Sequence, residues 1–214
     1  MRLFYLIICL LLPQFAFAQI FGFIPFESGS YVAASSPTTR VEAGLKLRNG
    51  ELLIAKDGKG KKSEFSPQQI ISFRVGDRKY TTATGFETRN GLFSASTTRV
   101  KFVELLDSGQ VILMRYTYYA SNGSGPYGGG GTQVEEYLLR RSIQSAITPI
   151  EANWLGGGKH FMETLLPYLS ARPDLIKALV AKEIVVDDLA PLIHALNTNQ
   201  PFVRPKPTGP FGVH

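Results

Sequence analysis

The apolar residues of this chain change their period once, near Ser142, and that change limits the folds open to it. From Ser28 to about Ser142, short runs of Val, Ile, Thr, Tyr and Phe alternate with clusters of Gly, Asn, Asp and Ser. Runs of this kind form strands with side chains on opposite faces, and the clusters turn the chain back between them. After Lys159 the apolar positions recur every three or four residues, the spacing of amphipathic helices. The expected fold class is therefore α+β: an N-terminal antiparallel β-sheet or small open barrel over residues 28–145, then a short three-helix segment over 158–198. Residues 146–157, with Pro149, Trp154 and a glycine run, read as a linker. Residues 199–214, with four prolines, read as a disordered tail.

Several turns carry their own chemistry. Asn49-Gly50 lies between two apolar runs, and both residues tolerate the positive φ of a tight hairpin. Ser66-Pro67 predicts one helical turn, with serine ahead of a proline at the first helical position. Ile71, Phe73 and Val75 then share one face of a strand, opposite Ser72 and Arg74, and Gly76-Asp77 closes a turn into Arg78. The clearest strand pair is Arg99–Leu106 with Gln110–Tyr119, joined through Asp107-Ser108-Gly109; Thr132–Arg141 follows it across a glycine-rich loop. The second strand is apolar on both faces, as in a central strand or one wall of a barrel. In the helical part, Phe161, Met162, Leu165, Leu166 and Leu169 form one stripe, and Pro167 ends that segment. Leu175, Ile176, Leu179 and Val180 form a second stripe. Leu189, Leu192, Ile193 and Leu196 form a third, behind Asp187-Asp188 as capping residues. Helices this short need partners, so they must pack together or on the sheet.

The N-terminus bears on compartment. Met1-Arg2, the apolar run Leu3–Leu12 and the small residues of Ala16-Phe17-Ala18 have the three-part pattern of a signal peptide spanning residues 1–18. The run is about half the ~20 residues that a permanent spanning helix needs, and no later segment is apolar enough to cross a bilayer. Cys9 is the only cysteine and lies inside the run, so the mature chain would carry no disulfide, no thiolate metal site and no cysteine nucleophile. Cleavage removes one cation, Arg2, from a formal charge of +6. Basicity outside the cytoplasm points to anionic surfaces rather than nucleic acid, set against the plainer reading that surplus lysines keep the protein soluble.

No catalytic set is assembled by spacing alone. Glu135-Glu136 are neighbours on a strand and point to opposite faces, which rules out joint action as paired carboxylates. His160 and Glu163, one helical turn apart, are too small a fragment for a metal site, and His194 reads as the polar side of a helix. No Gly-x-Ser-x-Gly elbow occurs. Gly158-Lys159 before a helix resembles part of a phosphate loop, but His160 stands where Ser or Thr is required. No catalytic residue, metal or cofactor is therefore expected. Tyr116, Tyr118, Tyr119, Tyr127 and Tyr137 are either a carbohydrate or peptide platform or, for those on strands, core packing. Tyr127 differs, because its glycine-rich loop offers little core to join. With Lys59, Lys61 and Lys62 of the basic turn 56–62, it is the candidate ligand-binding set.

Three stretches together resemble a known group. They are Gly58-Lys59-Gly60-Lys61-Lys62 running into Phe65–Ile70 and Phe73–Tyr80; Leu106-Asp107-Ser108-Gly109-Gln110-Val111 ahead of a tyrosine-rich strand; and Gly156–Lys159 leading to Arg172-Pro173-Asp174-Leu175. This is similar to an uncharacterised family of exported proteins of Bacteroidota, in particular Hymenobacter-like bacteria. The resemblance implies the periplasm or cell surface of a Gram-negative bacterium and, having no assigned activity, carries over no catalytic residue.

The expected role is a non-enzymatic envelope module that binds an envelope protein, a glycan or an anionic membrane surface. The rival is an envelope hydrolase whose site forms only in the fold, from Asp77, Glu104, Glu135 and His160.

Overall fold

The computed structural model describes residues 25–48, 50–89, 95–121, 131–150 and 158–204. The expected signal peptide, Asn49, Tyr127 and Trp154 lie outside these residues.

Ten strands form one antiparallel sheet: β1 (Glu27–Ala33), β2 (Arg40–Arg48), β3 (Leu52–Lys56), β4 (Lys62–Phe65), β5 (Ile70–Val75), β6 (Arg78–Ala83), β9 (Lys101–Asp107), β10 (Ile112–Ser121), β11 (Gly131–Arg140) and β12 (Thr148–Ile150). A separate small hairpin, β7 (Glu87–Arg89) with β8 (Ala95–Thr97), interrupts the path from β6 to β9. The spatial order is β12-β11-β10-β9-β6-β5-β1-β2-β3-β4. Two meanders thus share a seam. The first runs outward from β1 to β4; the chain then returns to the free side of β1 and runs outward again from β5 to β12. The return is made by the turn Pro67–Gln69, where the Gln69 side chain accepts the Ser66 backbone N–H at 2.8 Å. The Gln69 carbonyl accepts the Ala34 N–H.

The sheet is open, since β4 and β12 each have one neighbour among the described residues. Nor is it confined to the expected 28–145: β12 falls in the stretch read as linker, paired with β11 through Tyr137↔Ile150. Three residues of strand are too short to show a period, so the sequence hid this one.

Across the seam, one face of the sheet carries Leu45, Leu53 and Ala55 of the first meander and Phe73, Val75, Tyr80 and Phe102 of the second, all buried. Phe73 stacks on Tyr80 and meets Phe102 edge to face. Phe73 and Val75 are inward as expected, but Ile71 is exposed and Ile70 is buried in its place. The cause is a break in the β1–β5 register between Val32 and Ala33, which leaves Ile71 as the extra residue of a bulge.

The second meander buries both faces where β10 and β11 lie. Leu113 and Leu139 face the helices, while Met114, Tyr116 and Leu138 face Ala83 and Phe86. β10 is accordingly central. The helices are α1 (Lys159–Leu165), α2 (Pro173–Val180) and α3 (Leu189–Thr198). Phe161, Leu165, Leu169, Leu175, Leu179, Leu189, Leu192, Ile193 and Leu196 join Val111, Leu113, Leu139 and Ile150 in one core. The helices therefore pack both together and on the sheet, with Val180 left largely exposed. No helix among the described residues is long and apolar enough to cross a membrane.

Candidate functional site

The candidate site forms where two neighbouring strands part. β9 and β10 pair from Leu113↔Asp107 to Arg115↔Glu104, with a bulge between Leu113 and Met114. Further along, the Phe102 N–H donates instead to the carbonyl of Gly50, at 2.9 Å. Gly50 is in the turn between β2 and β3, so the tip of that hairpin folds over and inserts beside β9. Its φ of +66° and the Tyr116 ring, 3.3 Å from where a Cβ would sit, together favour glycine. Next to Gly50, Glu51 forms an ion pair with Lys101. The curled sheet encloses a pocket of about 300 Å³ between the hairpin tip and β9–β11.

Its floor is apolar, with Leu45, Val75, Tyr80 and Phe102, and its wall is charged. Alternation along the strands brings Glu104 of β9, Arg115 of β10 and Glu135 of β11 to the same face. The Arg115 guanidinium donates to Glu104 through Nη2 at 2.7 Å and Nε at 3.2 Å, and through Nη1 to Glu135 at 3.2 Å. Burial works against the charge on Arg115, but the hydrogen bond and the negative charge of Glu104, with Glu135 behind, outweigh it and leave its pKa raised. Burial also raises the Tyr80 phenol, with Arg78 opposing. At the other rim, Arg78 pairs with Glu27 at 2.9 Å. Thr117 and Gln133 add neutral hydrogen-bonding groups.

Two of the four residues named for a hydrolase, Glu104 and Glu135, thus meet in one pocket. The other two do not join them. Asp77 pairs with Arg74 in the exposed β5–β6 turn, and His160 is exposed on α1. Sequence reasoning missed Arg115, the residue that gathers the carboxylates. The available signal was strand parity, since Arg115 is a lone cation among apolar and tyrosine neighbours.

The basic turn behaves otherwise. Lys59 and Lys61 are exposed, and the Asp57 carboxylate orders the loop by accepting both of their backbone N–H groups at 2.9 Å. The Lys62 ammonium lies 5.6 Å from the centre of the Phe26 ring. Lys62 is on β4, an outermost strand, where charge also deters pairing with another chain. The tyrosines do not make one platform: Tyr116 and Tyr118 stack on one face of β10, whereas Tyr137 shares the opposite face with Arg115.

Comparisons with family models, with curated proteins and with solved structures give no significant match to this chain.

Proposed function

We propose that this protein is an exported, non-enzymatic binding module of a Gram-negative envelope, with its ligand seated in the pocket between Gly50 and Glu135. The observation that carries the reading is the convergence of Arg115, Glu104 and Glu135 over an apolar floor. An apolar floor beneath fixed polar groups gives a small ligand both contact area and orientation. The lining balances Lys46, Arg78 and Arg115 against Glu27, Glu104 and Glu135, so it offers fixed donors and acceptors without a dominant sign. That chemistry suits the hydroxyls of a neutral glycan better than an anionic lipid surface. Nucleic acid, whose affinity rests on excess cations, fits it least.

The test is binding of the purified mature protein to envelope glycans, to envelope extracts and to anionic vesicles. Glycan binding that disappears in Gln133→Ala and Glu135→Gln, with the fold retained, supports the reading. Retention of that binding in both variants, or binding that follows Lys59, Lys61 and Lys62 instead, refutes this location. Silence toward all three probes refutes the function.

The meeting of Glu104 and Glu135 favours the hydrolase as a second reading, although both carboxylates are engaged by Arg115. Cleavage of a bound glycan that stops in Glu135→Gln while binding persists would establish it.

A further inference from the structure

Arg140 is buried, and among the described residues its charge finds little to meet. It is 9% exposed, and its Nε has no hydrogen-bond partner. Among the described residues its guanidinium makes one long hydrogen bond, from Nη1 to the Ile143 carbonyl at 3.5 Å, and no ion pair. Burial alone lowers its pKa, with no neighbouring carboxylate pulling the other way. An arginine taken out of water is costly unless a partner compensates it, so the missing partner calls for explanation.

The side chain borders a second pocket, of about 580 Å³. Arg140 lies on β11 in phase with Leu138, and so on the face opposite Glu135 and Tyr137. The two pockets share no lining residue. Thr82, Thr84, Gly85 and Gln144 supply hydroxyl, backbone and amide groups to this one, and no Asp or Glu among the described residues lines it. Gly85, at φ +76°, keeps one side open because nothing lies within 4 Å of where its Cβ would be. Ile143, largely exposed, stands at the rim.

We propose that this pocket binds a small oxyanion, a phosphate, sulfate or carboxylate group, on the Arg140 guanidinium. A planar fork of N–H donors matches such oxygens in geometry as well as charge. The threonine hydroxyls and the Gln144 amide are the available neutral partners for the remaining oxygens. The site is independent of the glycan pocket, and either can fail without the other.

The test is a titration of the mature protein with inorganic phosphate, sulfate and acetate at constant ionic strength, with chloride as the control. It follows the Arg140 Nε–H resonance and the melting temperature. Saturable movement of that resonance, with a melting temperature that climbs with the logarithm of anion concentration above the site's dissociation constant, supports the proposal. A preference for phosphate and sulfate over acetate assigns a phosphoryl or sulfate ester group, and the reverse assigns a carboxylate; either supports it. Arg140→Met should melt higher than wild type in anion-free buffer, since an uncompensated charge is gone, and should lose the anion-dependent rise. A rise that survives in Arg140→Met overturns the proposal. A wild-type resonance that no anion moves overturns it too, and that measurement stands even if the variant fails to fold.

Discussion

Asn197 of α3 holds Val111 by both of its backbone groups, accepting the N–H at 2.9 Å and donating to the carbonyl at 2.8 Å. The same side-chain amide donates to Asp107 at 2.7 Å, and His194, one turn earlier, reaches the other Asp107 oxygen at 2.7 Å. One helix face thus reads the β9–β10 turn as a strand would, through main-chain hydrogen bonds. This joins the helical segment to the sheet at a defined place.

Asn197→Ala should therefore destabilise the protein by about 2–3 kcal/mol, because it strands partly buried backbone groups rather than merely deleting a contact. Urea unfolding checks the size. Asn197→Asp should cost at least as much, since it loses the donors and sets a carboxylate beside Asp107.

Gly109 lies against that side chain. A Cβ there would come within 2.6 Å of the Asn197 Cγ. Gly109→Ala is expected to cost roughly 1–3 kcal/mol from crowding. In the double variant with Asn197→Ala only part of that cost should be relieved, because the Cβ of residue 197, 2.8 Å from the same position, remains; a double-mutant cycle measures the coupling.

Arg115 should behave as the keystone of its pocket. Arg115→Met leaves Glu104 and Glu135 facing each other without their shared partner, and a loss of about 2 kcal/mol is expected after allowing for partial exposure. Adding Glu104→Gln should restore part of it. Thermal unfolding of the single and double variants decides the matter.

Tyr116 predicts an alkaline limit. Burial, with Glu51 and Tyr118 adding, pushes its pKa up to about 12 from an ordinary value of 10.0. Because the folded form holds the proton more tightly than the unfolded one, its contribution is complete below pH 10 and fades between 10 and 12. Across that window roughly 2–3 kcal/mol should be lost. Tyr116→Phe should flatten this part of the stability curve, read by urea unfolding at successive pH values.

Arg204 ties the end of the described chain to the helices. It pairs with the buried Asp188 at 3.0 Å, and the same Asp188 oxygen accepts the Val185 N–H at 3.0 Å. Arg204→Ala should cost about 1–2 kcal/mol and speed hydrogen exchange at Val185.

Strand and helix positions were legible wherever a local period or turn residue governed them. The hairpins at Gly50, Gly76 and Gly109 and the stripe Leu189, Leu192, Ile193 and Leu196 are examples. The misses share another character. Ile71 looked inward because alternation assumes an unbroken ladder, and the bulge opposite Ala33 breaks it. Gln200 onward looked unstructured because its prolines dominate the composition, yet Phe202 packs on the helical core and Arg204 finds Asp188.

Sequence alone thus determined most of the longer elements, because turn chemistry and the apolar period act between residues a few positions apart. It also led to the division into a sheet part and a helical part. Only the tertiary structure decided what the sheet encloses. Glu104, Arg115 and Glu135 come from three strands, and their meeting depends on the register of β9, β10 and β11. That register rests on the bulge at Leu113 and on Gly50 reaching across to Phe102. Arg140 was one more basic residue on a strand until the folded chain buried it, since burial belongs to the whole packing and not to any local stretch.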